Sequence, residues 1–191
     1  LPRPAHGLRV RTVRDENARA LRVHGGRADV AVNLFSPTLL PALATPGGPA
    51  VVRRDGASLT YVIFRVDRGP FARRELRRAV AQGLPRRLFA EALFAGYARP
   101  ATSLLPETHW AFAPPPTTLA EDPTAAAEAF AGLHTKAAGA PPVTWLTSTD
   151  RLRVSLARVG AQALGELGLP VEIVSLELGA LLARLSAGDF D

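Results

Sequence analysis

Cysteine and methionine are both missing from this chain of 191 residues, and lysine occurs once, at Lys136. Without cysteine there is no thiol nucleophile, no disulfide framework and no cysteine-based zinc site. Long apolar runs are missing too. The longest, residues 92–95 and 178–183, fall far below the roughly 20 residues that cross a bilayer, so no membrane insertion is expected. No basic leader followed by an apolar stretch stands at the start. The chain opens at Leu1 and stops after Ala187-Gly188-Asp189-Phe190-Asp191, which reads as a turn leading into a strand. We therefore expect a region truncated at both ends, with any signal peptide removed.

What is present describes an ordinary globular chain. Apolar residues make up 47% and charged residues 21%, with mean hydropathy +0.09. That supplies a core for one large domain or two small ones. The net charge is +6 and the isoelectric point about 11.1. Arginine carries this charge, scattered and interleaved with acids, so it reads as GC-rich composition rather than as a nucleic-acid surface. No nucleic-acid partner is expected. One local cluster stands out: Arg73, Arg74, Arg77, Arg78, Arg86 and Arg87. It could bind phosphates or dock onto a transporter, but opposite Leu76 and Val80 on amphipathic helices its simplest reading is a solvated face.

Periodicity gives an alternating series of elements. Residues 8–13 read as a strand, Asp15 caps a helix carrying Ala18 and Leu21, and Gly25-Gly26 stops it. Residues 28–33 read as a second strand, which together make a compact βαβ unit with a parallel pair. Ser36-Pro37 starts a short helix to Leu43. Residues 51–53 and 58–66 read as a strand pair about Asp55-Gly56, the second rich in β-branched and aromatic residues. Two helices follow, at 72–82 and 85–97. Residues 100–116 form a long loop with an apolar middle, of the kind that wraps a surface or lines a site. Asp122-Pro123 opens a helix to about Leu133. A strand at 143–146, a helix at 152–167, a strand at 171–176 and a helix to Leu185, ended by Gly188, complete the series. The fold class is α/β.

The inventory for catalysis is poor. His6, His24, His109 and His134 lack HExxH-type spacing, and no nucleophile elbow or phosphate-cradling glycine loop occurs. Asp29, Asp67 and Glu107 are candidate paired carboxylates, but nothing in the sequence brings them together. The chain is not expected to be an enzyme, and no cofactor or metal is expected.

Five passages in order resemble one family. Asp15-Glu16-Asn17-Ala18-Arg19 precedes Gly25-Gly26-Arg27-Ala28-Asp29-Val30. Thr60-Tyr61-Val62-Ile63-Phe64 leads to Gly69-Pro70-Phe71 and Leu76-Arg77-Arg78-Ala79-Val80. Phe94-Ala95-Gly96-Tyr97-Ala98-Arg99-Pro100-Ala101 runs to Leu105-Pro106 and Trp110. Asp122-Pro123 stands before Ala125-Ala126. The helix at 154–168 with Val171-Glu172 precedes Gly188-Asp189-Phe190-Asp191. Together they are similar to the family 5 extracellular solute-binding proteins, the group of oligopeptide-, dipeptide- and nickel-binding receptors. Two departures stand against the pattern: Arg65 where the family usually has asparagine, and Gly83-Leu84-Pro85-Arg86 where it usually continues a helix.

The resemblance implies a type II periplasmic-binding-protein-like architecture, two lobes with mixed sheets flanked by helices. Residues 1–63 are then the C-terminal part of lobe one, and 64–191 most of lobe two, truncated at its C-terminus, with the crossover near 64–67. It implies the substrate-binding component of an ABC importer, periplasmic or extracellular, capturing a peptide or similar solute between the lobes and delivering it to a membrane permease. The alternative is a ligand-sensing domain of a transcriptional regulator. Candidate ligand-binding residues are Asn33, Phe35 and Ser36, placed after a strand end, Arg65 at the crossover, and Thr102, Ser103 and Trp110 in the long loop. Five of them also have a structural reading: a strand-to-helix cap for the first three, a surface arginine for Arg65, and a packing residue for Trp110.

Overall fold

The computed structural model describes residues 7–33, 35–115, 119–134 and 141–191. His6, Pro116 and Lys136, noted in the sequence, lie outside the described residues. Two units pack separately, Leu1–Arg53 and Arg54–Asp191.

The first unit holds helix α1, Glu16–His24. Asp15 caps it, its Oδ1 accepting from the Ala18 amide at 2.7 Å, and the amides of Gly25 and Gly26 close its end on the Leu21 and Val23 carbonyls. A 3-10 turn, Pro37–Leu39, runs into the short helix α2, Leu40–Leu43. The βαβ unit expected here is absent: residues 8–13 and 28–33 form no strands, and neither do 51–53. Their apolar side chains stay in solvent, Leu8 being 91% exposed and Val52 79%. A high β-propensity expresses fit to a half-buried pleated surface, and these stretches find no such surface and no ladder partner among the described residues.

In the second unit, residues 58–66 likewise form no strand, which corrects the expected hairpin. The backbone leads instead into a 3-10 turn, Pro70–Ala72, and helix α3, Arg74–Gly83. Arg73 offers α3 no side-chain cap. Arg77 reaches back instead, its Nη1 donating to the Phe71 carbonyl at 2.7 Å and the Ala72 carbonyl at 3.0 Å. Leu84 is extended, and Pro85 restarts the chain as α4, Arg86–Leu88, which passes into a π turn, Phe89–Leu93. The single helix expected at 85–97 is therefore split and ends early, where Ala95 and Gly96 both take positive φ.

Helix α5, Pro123–His134, begins as its sequence predicts, with Asp122 Oδ1 accepting from the Ala125 amide at 3.0 Å. The Asp122 amide also donates to the Gln82 carbonyl at 3.0 Å, tying the start of α5 to the end of α3. Strand β1, Val143–Ser148, helix α6, Arg151–Glu166, strand β2, Val171–Leu176, and helix α7, Leu178–Ala187, follow. The two strands are parallel, in register from Val143 opposite Val171 to Ser148 opposite Leu176. The βαβ unit of this protein is thus β1–α6–β2.

The core lies where α3, α5 and α6 meet this sheet. Phe130 is fully buried, Leu76 and Leu164 nearly so, with Phe71, Ala79, Val80, Leu84, Ala126 and Leu169 around them. Gly160 admits the indole of Trp145: a Cβ there would lie 2.9 Å from the Trp145 Cη2. This close helix–strand approach is why α6 carries a glycine in its interior, despite a helix penalty of about 1 kcal/mol.

Candidate functional site

The structure divides the seven candidate residues between the units. Asn33, Phe35 and Ser36 belong to the first. No strand precedes them, so the strand-end argument for a ligand site there lapses. Asn33 instead takes φ +53°, and the Ser36 amide donates to the Glu16 carboxylate on α1. Ser36 stands at the start of the 3-10 turn without capping it by its side chain, its Oγ lying 3.4 Å from Thr38 Oγ1. Glu16, which the sequence did not single out, is the residue that anchors this corner.

Thr102, Ser103 and Trp110 lie in the second unit, in a loop held by its own hydrogen bonds. The Leu105 amide donates to Ser103 Oγ at 3.3 Å, and the His109 amide to the Pro106 carbonyl at 2.8 Å. The Phe112 amide returns to the His109 carbonyl at 2.9 Å, and the Ala111 amide donates to His109 Nδ1 at 3.1 Å. With Nδ1 an acceptor, the neutral imidazole carries its proton on Nε2. The ring stacks on Trp110 with centroids 5.6 Å apart and planes inclined by 29°. The indole is nevertheless 92% exposed, so it does not pack into the core of its own unit, and the loop presents a large flat ring to solvent. Trp145, by contrast, packs against the core.

Arg65 is engaged within its own unit. Its Nε donates to Asp67 Oδ1 at 2.9 Å and its Nη2 to Asp67 Oδ2 at 3.2 Å, a bidentate fork. The arginine side chain is 14% exposed, the aspartate 67%. The hydrogen bond from Arg65 holds the Asp67 carboxyl below its ordinary value of 3.8. The Arg65 amide donates to the Asp191 carbonyl at 2.6 Å. Asp191 in turn accepts, through Oδ2, from the Thr144 amide of β1 at 2.7 Å. Among the described residues no group of three or more acidic or histidine side chains could hold a metal ion, and no helix is long and apolar enough to cross a membrane.

The sequence matches the model of the bacterial extracellular solute-binding proteins, family 5 Middle, over residues 4–191. The chain belongs to this family. It is 26% identical over 183 residues to the di/tripeptide-binding protein 3 of Pseudomonas aeruginosa, covering 93% of this chain and 34% of that protein. Against the glutathione-binding protein GsiB of Salmonella choleraesuis it is 26% identical over 184 residues, covering 92% and 34%. Among solved structures it resembles NikA from Brucella suis in complex with Fe(III)-EDTA, with a TM-score of 0.76 at 20% identity, over 100% of this chain and 41% of that one. The ABC transporter-associated periplasmic binding protein DppA from Helicobacter pylori, in complex with the peptide STSA, aligns with a TM-score of 0.76 at 21% identity, over 94% and 34%. The chain spans about a third of the length of the curated relatives it matches (34% of the first). The α/β fold implied by the resemblance is the fold of these family 5 neighbours, of which this chain corresponds to part.

Proposed function

We propose that this chain belongs to the solute-capturing component of an ABC importer and helps to hold a peptide or similar small solute in a cleft between two lobes. The family match over residues 4–191 carries this reading, and the di/tripeptide- and glutathione-binding relatives favour peptide-like solutes. In this reading residues 1–63 belong to lobe one and 64–191 to lobe two, and the protein works outside the cytoplasmic membrane with a permease as partner. It performs no chemistry of its own. Hinge closure traps the solute, and the contacts made in the closed state supply the affinity.

Trp110 is the contact to which the geometry gives most weight. An exposed indole on a self-bonded loop offers apolar area at little ordering cost, and aromatic side chains dominate such contact energetics. Thr102 is exposed nearby in sequence, and Ser103 is partly spent on the Leu105 amide. Asn33, Phe35 and Ser36 remain candidates on the first unit. Arg65, with its fork closed on Asp67, has the weakest claim to a solute.

The test is isothermal calorimetry of the whole gene product against a panel of di- and tripeptides. Saturable binding with micromolar or tighter Kd is expected for at least one peptide, and no binding across the panel would refute the peptide reading.

A further inference from the structure

Arg65 stands where two segments, 65–69 and 188–191, come together, and four separate contacts join them. The Arg65 amide donates to the Asp191 carbonyl. Arg68 Nη2 lies 3.4 Å from the Gly188 carbonyl. Gly69 neighbours the Asp191 carboxylate, a Cβ on it coming within ordinary contact of Oδ1 at 3.5 Å. The fourth contact is the most specific. The Arg65 guanidinium lies flat against Gly188, so that a Cβ there would sit 3.1 Å from its Cζ, Nη1 and Nη2. Gly188 is the left-handed C-cap of α7, with φ +65°. It is therefore glycine for two independent reasons, the backbone conformation and the arginine lying over it.

An arginine tip can ordinarily swing away from an added methyl group. This one is held on its other side by the bidentate fork to Asp67, which fixes the plane of the guanidinium. Asp191, the residue that the clasp places, turns its carboxylate onto the Thr144 amide at the edge of β1. That amide has no partner in the two-stranded sheet on this side.

We propose that Arg65 is a positioning residue: the Asp67–Arg65–Gly188 stack clasps segment 65–69 to the C-terminal turn of α7 and so sets Asp191 against the edge of β1. This gives the arginine a role within its own unit, independent of which solute the protein binds or whether it binds one.

The test needs no ligand and uses the 191-residue chain. Gly188→Asn keeps a residue that tolerates the left-handed conformation but adds the Cβ under the guanidinium. It is expected to lower Tm by about 2–4 °C, and at least half of that shift is expected to vanish in an Arg65→Ala background. Amide hydrogen exchange gives the second readout. In Arg65→Ala the Thr144 amide is expected to exchange at least tenfold faster, while amides in the middle of α6, such as Leu164, keep their rates. Arg65→Lys, a point charge without the fork, is expected to leave Thr144 nearly as fast as alanine does. Asp67→Asn, which leaves the guanidinium present but removes one of the two acceptors of its fork, is expected to accelerate it too, though less than alanine does. Strictly additive Tm shifts, an unchanged Thr144 rate in Arg65→Ala, or full restoration by lysine would each overturn the proposal.

Discussion

Residues 58–66 and residues 143–148 carry the same local signal, β-branched and aromatic side chains in short runs, yet only the second forms a strand. The difference lies in what each meets. Strand β1 finds β2 in parallel register along its whole length and a helix, α6, whose Gly160 leaves room for Trp145. The 58–66 segment has no ladder partner among the described residues, and Tyr61 and Ile63 stay mostly in solvent at 62% and 53% exposure. Propensity favours a strand in both places; burial and a partner decide whether a sheet forms.

The comparison is broken most severely at the core. Phe130→Ala, a truncation at a fully buried position, is expected to cost about 3–5 kcal/mol, read as the urea midpoint at unchanged slope. If β1 owes its order to this core, its amide protection falls in parallel, while the amides of residues 58–62, which join no ladder, change little. Gly160→Ala is expected to cost about 1–3 kcal/mol, the overpacking range, because the indole of Trp145 cannot retreat from a methyl group on α6. Trp145→Leu in the same background restores part of that loss by chemical denaturation.

Smaller effects separate the two units. Asp150 and Asp15 cap α6 and α1 by the same hydrogen bond, to Arg153 at 3.0 Å and Ala18 at 2.7 Å. Each change to alanine is expected to cost about 1 kcal/mol of helix stability. At Asp150 the loss shows in the global transition of the second unit. At Asp15 it shows as faster exchange confined to α1, since among the described residues of that unit only Ala20 and Leu43 are buried apolar side chains.

The smallest effect is electrostatic. The hydrogen bond from Arg65, aided by the charges of Arg65 and Arg68, holds the Asp67 carboxyl below 3.8. A depressed carboxyl pKa stabilises the folded state above the unfolded value, and that stability is lost as pH falls through the folded one. The Tm difference between the parent and Asp67→Asn is therefore expected to be constant near neutrality and to close below about pH 3.8. A difference that widened on acidification would contradict the ion pair.

Much of the second unit was legible in its sequence. The Asp122 cap, the glycine stop at 188 and the 3.6-residue stripes of α3 and α6 are local signals, and the structure keeps them, as it keeps the Asp15 cap of the first unit. Residues 171–176 were bounded correctly because a proline precedes them and a helix follows. The strands expected in the first unit do not form, since a period of two promises an apolar face but not a neighbour to cover it. At the candidate site, the loop was visible as a long apolar insertion, but the solvent exposure of Trp110 was not. The partners of Arg65 were hidden for a simpler reason: Gly188 and Asp191 are more than 120 residues away, and no spacing rule reaches that far.

The central claim is that the chain presents a solute-binding surface with Trp110 upon it. The most direct measurement is the affinity of the whole gene product for its best-bound peptide, before and after Trp110→Ala. A loss of about tenfold, or 1.4 kcal/mol, with unchanged Tm is the outcome this account requires. An unchanged affinity would remove Trp110 from the site and contradict it.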